Sequence, residues 1–291
     1  PTMHIRSILI AAAAAGFLGA CAKGDVDQAA TADSAAEHAG HAMPNVVTVV
    51  ATDFKFDAPA SIPAGLTKFV LKGAGQQIHH ATIARLDDGK TVADLQAAFK
   101  TPGPPPSWVT FVGGPNVPDP GAEANATVDL APGNYALICF VDTPDKVPHF
   151  AKGMVHGFTV TGATTHAMAP TADVNLLLDD YVFNFDKPLT ARRHTIKVAN
   201  PPAQDHEIQL IQLDSGKTLA DMQQWITNMS GPPPGRAVGG IASMKPGTTN
   251  YFEVDLPAGE YVAICFVPDK NDGKPHFLHG MARQFSVGQG A

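Results

Sequence analysis

The stretch ICFVPDKNDGKPHFLHGM, residues 264–281, places a cysteine, a histidine and a methionine in that order within one loop-like segment. Residues 138–154 read ICFVDTPDKVPHFAKGM and carry the same three residue types in the same order. The histidine and the methionine are five residues apart in both copies, and the interval from cysteine to histidine differs by one residue. A pattern that occurs twice at nearly constant spacing indicates two equivalent sites in one chain.

The two copies belong to a longer internal repeat, residues 45–160 and 172–288. For example, VDLAPGNYALICF at 128–140 corresponds to VDLPAGEYVAICF at 254–266, and the offset between matching blocks stays between 126 and 128. A unit of roughly 120 residues is long enough to form a complete domain with its own core. The sequence therefore predicts a tandem duplication of one domain.

Each unit shows the alternation of apolar and polar residues that is typical of β-strands, as in VVTVVATDFKF and HEIQLIQL. Each unit also contains one helical segment, TVADLQAAFK or TLADMQQWITN, which opens on Thr91 or Thr218. An aspartate three residues later completes a variant of the capping box. We therefore predict an all-β protein made of two tandem Greek-key β-sandwich domains, each with one short inserted helix.

The N-terminal segment has the features of an export signal. A short basic patch at Arg6 precedes the apolar run Ile8–Leu18, which is too short to span a bilayer as a helix. The run ends in LGAC, which resembles the lipobox of bacterial lipoproteins, and this resemblance implies lipidation of Cys21. Because Ala22 and Lys23 lack the aspartate that usually retains such proteins at the inner membrane, we expect attachment to the periplasmic side of the outer membrane.

These observations divide the chain into five parts. We predict a lipoprotein signal peptide at 1–20, a flexible tether at 21–44, a first domain at 45–162, a linker at 163–171 and a second domain at 172–291.

The composition excludes several classes of protein. Of the 291 residues, 44% are apolar and 16% are charged, as in a globular protein that is neither disordered nor membrane-spanning. The formal net charge is −7, so binding to nucleic acid through a basic surface is not expected.

The repeated motif supplies a thiolate, an imidazole and a thioether, and a second imidazole completes the ligand set of a blue-copper centre. When the two GKT blocks are aligned, His79 and His206 occupy the same position upstream of the cysteine. The candidate ligands are therefore His79, Cys139, His149 and Met154 in the first unit and His206, Cys265, His276 and Met281 in the second.

This arrangement resembles the cupredoxin family, and the resemblance covers almost all of both units. It implies a sandwich with type 1 copper at one end, up to two copper ions per chain. Because adjacent residues of a strand face opposite sides, only one of His79 and His80 can reach the metal; the alignment favours His79. The resemblance also places Phe150 and Phe277, which follow the loop histidines, in an apolar surface patch where a redox partner docks.

The predicted function is single-electron transfer between redox partners, one of them a redox protein or a membrane electron-transfer complex. The chain is not expected to be an enzyme, because the copper oxidases and nitrite reductases use a histidine beside the copper cysteine. Here the neighbours are Ile138 and Phe140 in one unit and Ile264 and Phe266 in the other, and no HxH pair occurs in the sequence. An accessory subunit with spectator or empty sites and a copper-handling lipoprotein remain as alternatives.

The lipobox makes a direct prediction about location. In the native host, the Cys21→Ala variant should be released from the membrane fraction, because several acyl chains are needed for stable attachment and all of them depend on this cysteine. Fractionation with immunoblotting measures the distribution. An unmodified protein that is already soluble, with no change on substitution, would contradict the anchor.

Overall fold

The computed structural model describes residues 43–101, 103–201 and 204–288. The expected lipidation site, Cys21, the signal peptide and nearly all of the tether lie outside the described residues. In the described part, no helix is both long and apolar enough to cross a membrane.

The described part of the first repeat contains eight strands and one helix. In chain order they are β1 (Asn45–Thr52), β2 (Lys55–Asp57), β3 (Ser61–Gly73), β4 (Thr82–Leu86), α1 (Val92–Ala98), β5 (Val109–Gly113), β6 (Glu123–Leu130), β7 (Gly133–Ile138) and β8 (Val155–Thr165).

The second repeat follows the same order over its described residues. Its elements are β9 (Val174–Asp179), β10 (Val182–Phe185), β11 (Arg192–Asn200), β12 (His206–Leu213), α2 (Leu219–Asn228), β13 (Gly235–Met244), β14 (Thr248–Leu256), β15 (Gly259–Ile264) and β16 (Ala282–Val287).

Two layers of strands enclose the core of each repeat. In the first repeat, β2, β1, β3 and β6 are paired in one layer, and β8, β7, β4 and β5 are paired in the other. The long strand β3 joins the layers, because its beginning also pairs with β8. The second repeat pairs β10, β9, β11 and β14 in one layer and β16, β15, β12 and β13 in the other. The predicted all-β sandwich is confirmed.

The strands form because their apolar residues recur with period two. In β1, Val47, Val49 and Ala51 are buried and alternate with more exposed residues, and β9 is buried at every second position. One face of each strand therefore points into the sandwich, where the apolar side chains of both layers form a common core.

Both helices begin where the sequence predicts. The Thr91 hydroxyl accepts a hydrogen bond from the Asp94 backbone N–H, and the Asp94 carboxylate accepts one from the Thr91 backbone N–H. Thr218 and Asp221 form the same reciprocal pair. Each helix packs on the outer face of the β4–β7 or β12–β15 strands and encloses a second, smaller apolar cluster. This cluster lies directly behind the cysteine loop.

The two repeats are joined edge to edge. Strands β5 and β13 run antiparallel, and Tyr251 of β14 is paired with Thr127 of β6. The Asn125 amide donates to the Glu253 carbonyl at 2.8 Å and accepts from the Glu253 N–H at 2.9 Å. One continuous sheet therefore runs through both repeats.

Candidate metal centres

A frame of backbone hydrogen bonds holds the loop that carries three of the candidate ligands in the first repeat. Cys139 directly follows β7, and His149 begins a 3₁₀ turn, His149–Lys152. The Phe150 N–H donates to the Cys139 carbonyl at 2.9 Å, the Cys139 N–H donates to the Met154 carbonyl at 3.3 Å, and the Met154 N–H donates to the His149 carbonyl at 3.0 Å. The three residues therefore converge although they are separated along the chain.

The second repeat has the same frame. The Phe277 N–H donates to the Cys265 carbonyl at 3.0 Å, the Cys265 N–H to the Met281 carbonyl at 3.1 Å, and the Met281 N–H to the His276 carbonyl at 3.0 Å. Gly280, at φ 100°, ends the turn between the histidine and the methionine in the left-handed region that glycine adopts without strain.

The one-residue difference in loop length is absorbed away from the ligands. In the first repeat the Thr143 N–H donates to the Val147 carbonyl at 3.0 Å, whereas in the second the Asp269 N–H donates to the Lys274 carbonyl at 2.8 Å. The second turn is one residue longer, and the frame around the cysteine is unchanged.

The side chains of the first site meet in the interior. The Nδ1 atoms of His79 and His149 are 3.0 Å apart, and the Sγ of Cys139 lies 3.4 Å from the Nδ1 of His149. All three side chains are buried, with at most 1% of their surface exposed. His79 lies just before β4 rather than within a strand.

Outer polar groups fix the tautomer of both imidazoles in this site. The Nε2 of His79 lies 3.1 Å from the Asp53 carboxylate, and the Nε2 of His149 lies 3.2 Å from the Gln77 side-chain oxygen. The N–H groups of Gln76 and Gln77 hold the Asp53 carboxylate in place. Because each Nε2 faces an acceptor, these contacts favour the tautomer with its proton on Nε2, which directs the lone pair of Nδ1 into the site.

The second site repeats this geometry. The Sγ of Cys265 lies 3.4 Å from the Nδ1 of His276, whose Nε2 faces the Gln204 side-chain oxygen at 3.1 Å. The Nε2 of His206 faces the Asp180 carboxylate at 2.9 Å. The Nδ1 of His206 is buried and has no hydrogen-bond partner among the described residues.

The methionines lie beside the cysteines in the main core. Met154 and Met281 are both fully buried, and both belong to the apolar cluster that contains Cys139 and Cys265. In each repeat the structure therefore brings the two histidines and the cysteine together and holds the methionine next to the cysteine through the backbone. Their role as metal ligands stays a prediction.

The donor atoms fit a soft metal ion. In the first site the Nδ1 atoms of the two imidazoles lie 3.0 Å apart, close enough for both to bind one cation. In the second site the unpartnered nitrogen of His206 faces the His276 ring and the thiol. A thiol, two imidazoles and a neighbouring thioether, shielded from water, form the donor set that suits copper.

Burial controls the protonation of these groups. It raises the pKa of the Cys139 thiol to about 12 and raises that of Cys265 well above its usual value. Burial, together with the neighbouring imidazole, lowers the pKa of His149 and of His276 to about 4. At neutral pH the imidazoles are therefore uncharged, and metal binding must displace the thiol proton.

The choice between His79 and His80 agrees with the geometry. The Nε2 of His80 accepts a hydrogen bond from the Phe140 backbone N–H at 2.8 Å, so this ring supports the residue after the cysteine and does not face the thiol. Glu207 does the same in the second repeat, accepting from the Phe266 N–H at 2.9 Å. Burial lowers the pKa of His80 to about 4 and raises that of Glu207 to about 7.

Several supporting residues escape prediction from the motif. They include the polar groups that contact the imidazole Nε2 atoms and one aromatic ring in each site. Phe54 lies edge-on to the His149 ring, with the ring centres 5.2 Å apart, and Tyr181 lies edge-on to the His276 ring at 5.5 Å. Phe54 and Tyr181 both have positive φ. The repeat contains the missing signal: Asp53, Phe54 and Gln77 correspond to Asp180, Tyr181 and Gln204 at one constant offset.

The predicted surface patch is wrong at Phe277, which is buried, whereas Phe150 is only partly buried. Phe277 is only 7% exposed and packs under α2, and Phe150 packs with Phe99 of the first helical cluster and with Phe140. The 3₁₀ turn directs the residue after the loop histidine inward, against the helix. The exposed apolar residue of this turn is Leu278, at 60%.

A third group of metal-binding residue types lies near the second site. Asp269, Asp272 and His279 bring their donor atoms close together. However, the Asp269 carboxylate already accepts from the Asn271 and Asp272 N–H groups and from the Tyr181 hydroxyl, the last at 2.6 Å. These bonds account for the cluster as a brace of the longer loop.

Similarity to known proteins is found among solved structures. No protein-family model matches the chain, and no curated protein matches it. Among solved structures, the chain is similar to a reduced auracyanin from Roseiflexus castenholzii, with 20% identity, a TM-score of 0.30, and coverage of 42% of this chain and 100% of that chain. It is also similar to a multicopper oxidase, with 16% identity, a TM-score of 0.23, and coverage of 83% of this chain and 87% of that chain.

The expectation that the chain is not an enzyme is corrected by the same comparison. The similar structures include the multicopper oxidase and a copper-containing nitrite reductase from Thermus scotoductus SA-01, at 11% identity, a TM-score of 0.22, and coverage of 79% of this chain and 60% of that chain. The expectation fails because the structures to which the chain is similar include enzymes as well as auracyanins.

The buried histidines predict acid sensitivity of the metal-free protein. His149 and His276 have an ordinary pKa of 6.5 when exposed and about 4 in the folded state, so the unfolded chain binds protons first as the pH falls. The free energy of unfolding therefore keeps the full contribution of these histidines well above pH 6.5. It falls toward pH 4, by about 2–3 kcal/mol per histidine at pH 4.5. Urea unfolding at pH 7 and pH 4.5 measures the loss.

The double variant His149→Gln/His276→Gln serves as the control for this prediction. It lacks the two titrating groups and should lose distinctly less stability over the same interval. An equal loss in both proteins would show that other groups cause the acid sensitivity.

Proposed function

We propose that this protein is a copper-binding electron-transfer protein with one copper site in each repeat. The observation that carries the proposal is the duplicated, water-excluded group of two imidazole Nδ1 atoms and a thiol, each ring oriented by the same pair of outer residues. Copper bound there would gain and lose single electrons.

The polar residues around each site favour such a change of oxidation state because they hold both imidazole rings in place. Asp53 and Asp180 accept from the Nε2–H of the first histidine of each site and hold its ring. Gln77 and Gln204 do the same for the loop histidine. Because these contacts and the backbone frame orient the donor side chains, bound copper would require little rearrangement of the donor atoms between oxidation states.

The cellular setting is a further part of the proposal. We infer that the chain is tethered through a lipid on Cys21 to the periplasmic face of a bacterial membrane and exchanges electrons with a redox protein or a membrane complex. The support is the LGAC sequence and the tether that follows it. The net charge of −7 favours a basic partner, most strongly at low ionic strength.

Copper stoichiometry tests the two-site proposal. Protein reconstituted with copper should bind two equivalents and show an intense visible thiolate-to-copper band, because both donor sets are complete. Cys139→Ser and Cys265→Ser should each lose one equivalent and part of the band, and each variant is the matched control for the other. Metal analysis, absorption spectra and a redox titration measure these changes.

The outcomes separate the alternatives. Failure to bind copper in the unmodified protein would contradict the proposal and leave a scaffold role. Copper that binds but does not cycle reversibly in the redox titration would favour copper handling over electron transfer.

Leu278 provides a test of where a partner docks. It is exposed in the turn that carries His276, and Ala151 occupies the same position in the first repeat. Leu278→Glu should leave copper bound but slow electron exchange with a basic cytochrome several-fold, because a charge would interrupt the apolar contact. Leu177→Glu, a similar change at another exposed leucine, is the control, and stopped-flow absorbance measures the rate. Equal rates in both variants would place docking elsewhere.

A further inference from the structure

The two metal centres differ in the charge placed beside the loop histidine. In the second repeat an Asp269 carboxylate oxygen lies 3.8 Å from the Nε2 of His276, and both side chains are buried. The corresponding residue of the first repeat is Thr143, because its N–H closes the shorter loop turn as the Asp269 N–H closes the longer one. Thr143 is also buried, and its hydroxyl donates to the Val147 carbonyl at 2.7 Å. The second centre therefore has a carboxylate where the first has a neutral hydroxyl.

Three donors favour the ionised form of Asp269. The Tyr181 hydroxyl donates to its carboxylate at 2.6 Å, and the N–H groups of Asn271 and Asp272 donate to it at 2.8 and 3.3 Å. Hydrogen bonds of this kind stabilise a carboxylate in a buried position. In the first repeat Phe54 occupies the position of Tyr181, so the hydroxyl donor is absent there together with the acid. The tyrosine and the aspartate therefore occur as a pair in the second repeat alone.

The other charges of the two loops do not offset this difference. From the cysteine to the methionine, each loop carries two acids and two bases, so the net charges of the loops are equal. These residues are Asp142, Asp145, Lys146 and Lys152 in the first loop and Asp269, Asp272, Lys270 and Lys274 in the second. Both loops lie wholly within the described residues, and Asp269 is buried while the others are exposed. Water and salt screen the exposed charges much more strongly than the buried one.

The remaining polar residues around the sites do not oppose the effect of Asp269. Asp53 and Asp180 face the first histidine of their own repeats in the same way and so do not distinguish the centres. Glu207 takes the place of His80 as acceptor for the N–H that follows the cysteine. A glutamate can add negative charge to the second centre but no positive charge. The outer shell of the second centre is therefore the more negative of the two.

We propose that Asp269 gives the second centre the lower reduction potential, so that the two copper ions of one chain are reduced in a fixed order. A single electron delivered by the redox partner then reduces Cu²⁺ to Cu⁺ in the first repeat before the second. The physical reason is that oxidised copper carries one more positive charge than reduced copper, so a carboxylate beside His276 stabilises the oxidised ion more. Asp269 acts through its charge and is not itself a candidate ligand. The inference rests on the function proposed above.

Reduction potentials of single-site proteins test the order. Cys139→Ser protein keeps only the second centre complete, and Cys265→Ser protein keeps only the first. The visible band followed during a redox titration should give the lower potential for Cys139→Ser protein. Adding Asp269→Asn to that protein should raise its potential toward that of the first centre, because the amide keeps the shape of the carboxylate but loses its charge. Equal potentials in the two single-site proteins, or no rise with Asp269→Asn, overturns the proposal.

Asp272→Asn is the matched control, because it removes the same charge from an exposed position of the same loop. Its effect on the potential should be small and should disappear at high salt, whereas the effect of Asp269→Asn should persist. Equal effects that both disappear at high salt would assign the difference to surface charge and overturn the proposal. Asp269→Thr, which introduces the residue of the first repeat, replaces Asp269→Asn if the asparagine variant does not fold.

A measurement without redox chemistry separates this inference from the proposed function. Co²⁺ and Ag⁺ are titrated into Cys139→Ser protein with and without Asp269→Asn. A buried carboxylate favours the doubly charged ion, so Asp269→Asn should weaken Co²⁺ binding several-fold more than Ag⁺ binding, and Asp272→Asn should change both little. Copper that binds without cycling refutes the proposed function, and the two ions then still decide the role of Asp269. An equal loss of affinity for both ions, or binding of neither ion, overturns the proposal.

Discussion

The fold depends on one constraint: two uncharged imidazole rings must hold their lone pairs toward a buried thiol. Water would satisfy those lone pairs in an open site, but at the end of each sandwich the groups are enclosed by core residues and by an aromatic ring. The outer carboxylate and amide oxygens accept hydrogen bonds from the Nε2–H groups and so orient the imidazole rings. The carbonyls of the cysteine loop accept backbone hydrogen bonds that hold the loop in place. The strands, the turn and the helix behind the loop all serve to keep this enclosure rigid.

The helix behind the loop has a structural role that its sequence does not disclose. The residues on either side of each cysteine point away from the sandwich core, into the smaller cluster that the helix covers. The phenylalanine after each loop histidine enters the same cluster. One side of the loop is therefore fastened to the main core through the cysteine and methionine, and the other side is fastened to the helix, which limits movement of the donor atoms from both directions.

The sequence predicts those parts that are local and repeated. The strand alternation and the capping boxes at Thr91 and Thr218 follow from spacing, and the convergence of Cys139 with His149 follows from the repeated set of metal-binding residue types. Asp53 and Gln77 could not be found in this way, because they are polar residues in separate loops that meet the site only through tertiary folding. The burial of Phe277 was missed for a related reason: the direction of a side chain in a short 3₁₀ turn depends on the helix that packs above it. The comparison with enzymes of the same fold likewise lies beyond what a motif can decide.

The antiparallel pairing at the junction, in which Pro115 lies opposite its counterpart Ile241, has local two-fold symmetry and an evolutionary consequence. Two identical single-repeat chains that paired through this edge would form an isologous homodimer, in which every substitution appears on both sides of the axis. Positions 116 and 242 would then have to carry the same residue, and so would positions 80 and 207. Fusion of the two copies into one chain removes that restriction. In the present chain these corresponding positions differ: Asn116 corresponds to Ala242, and His80, which accepts from the Phe140 N–H, corresponds to Glu207, which accepts from the Phe266 N–H.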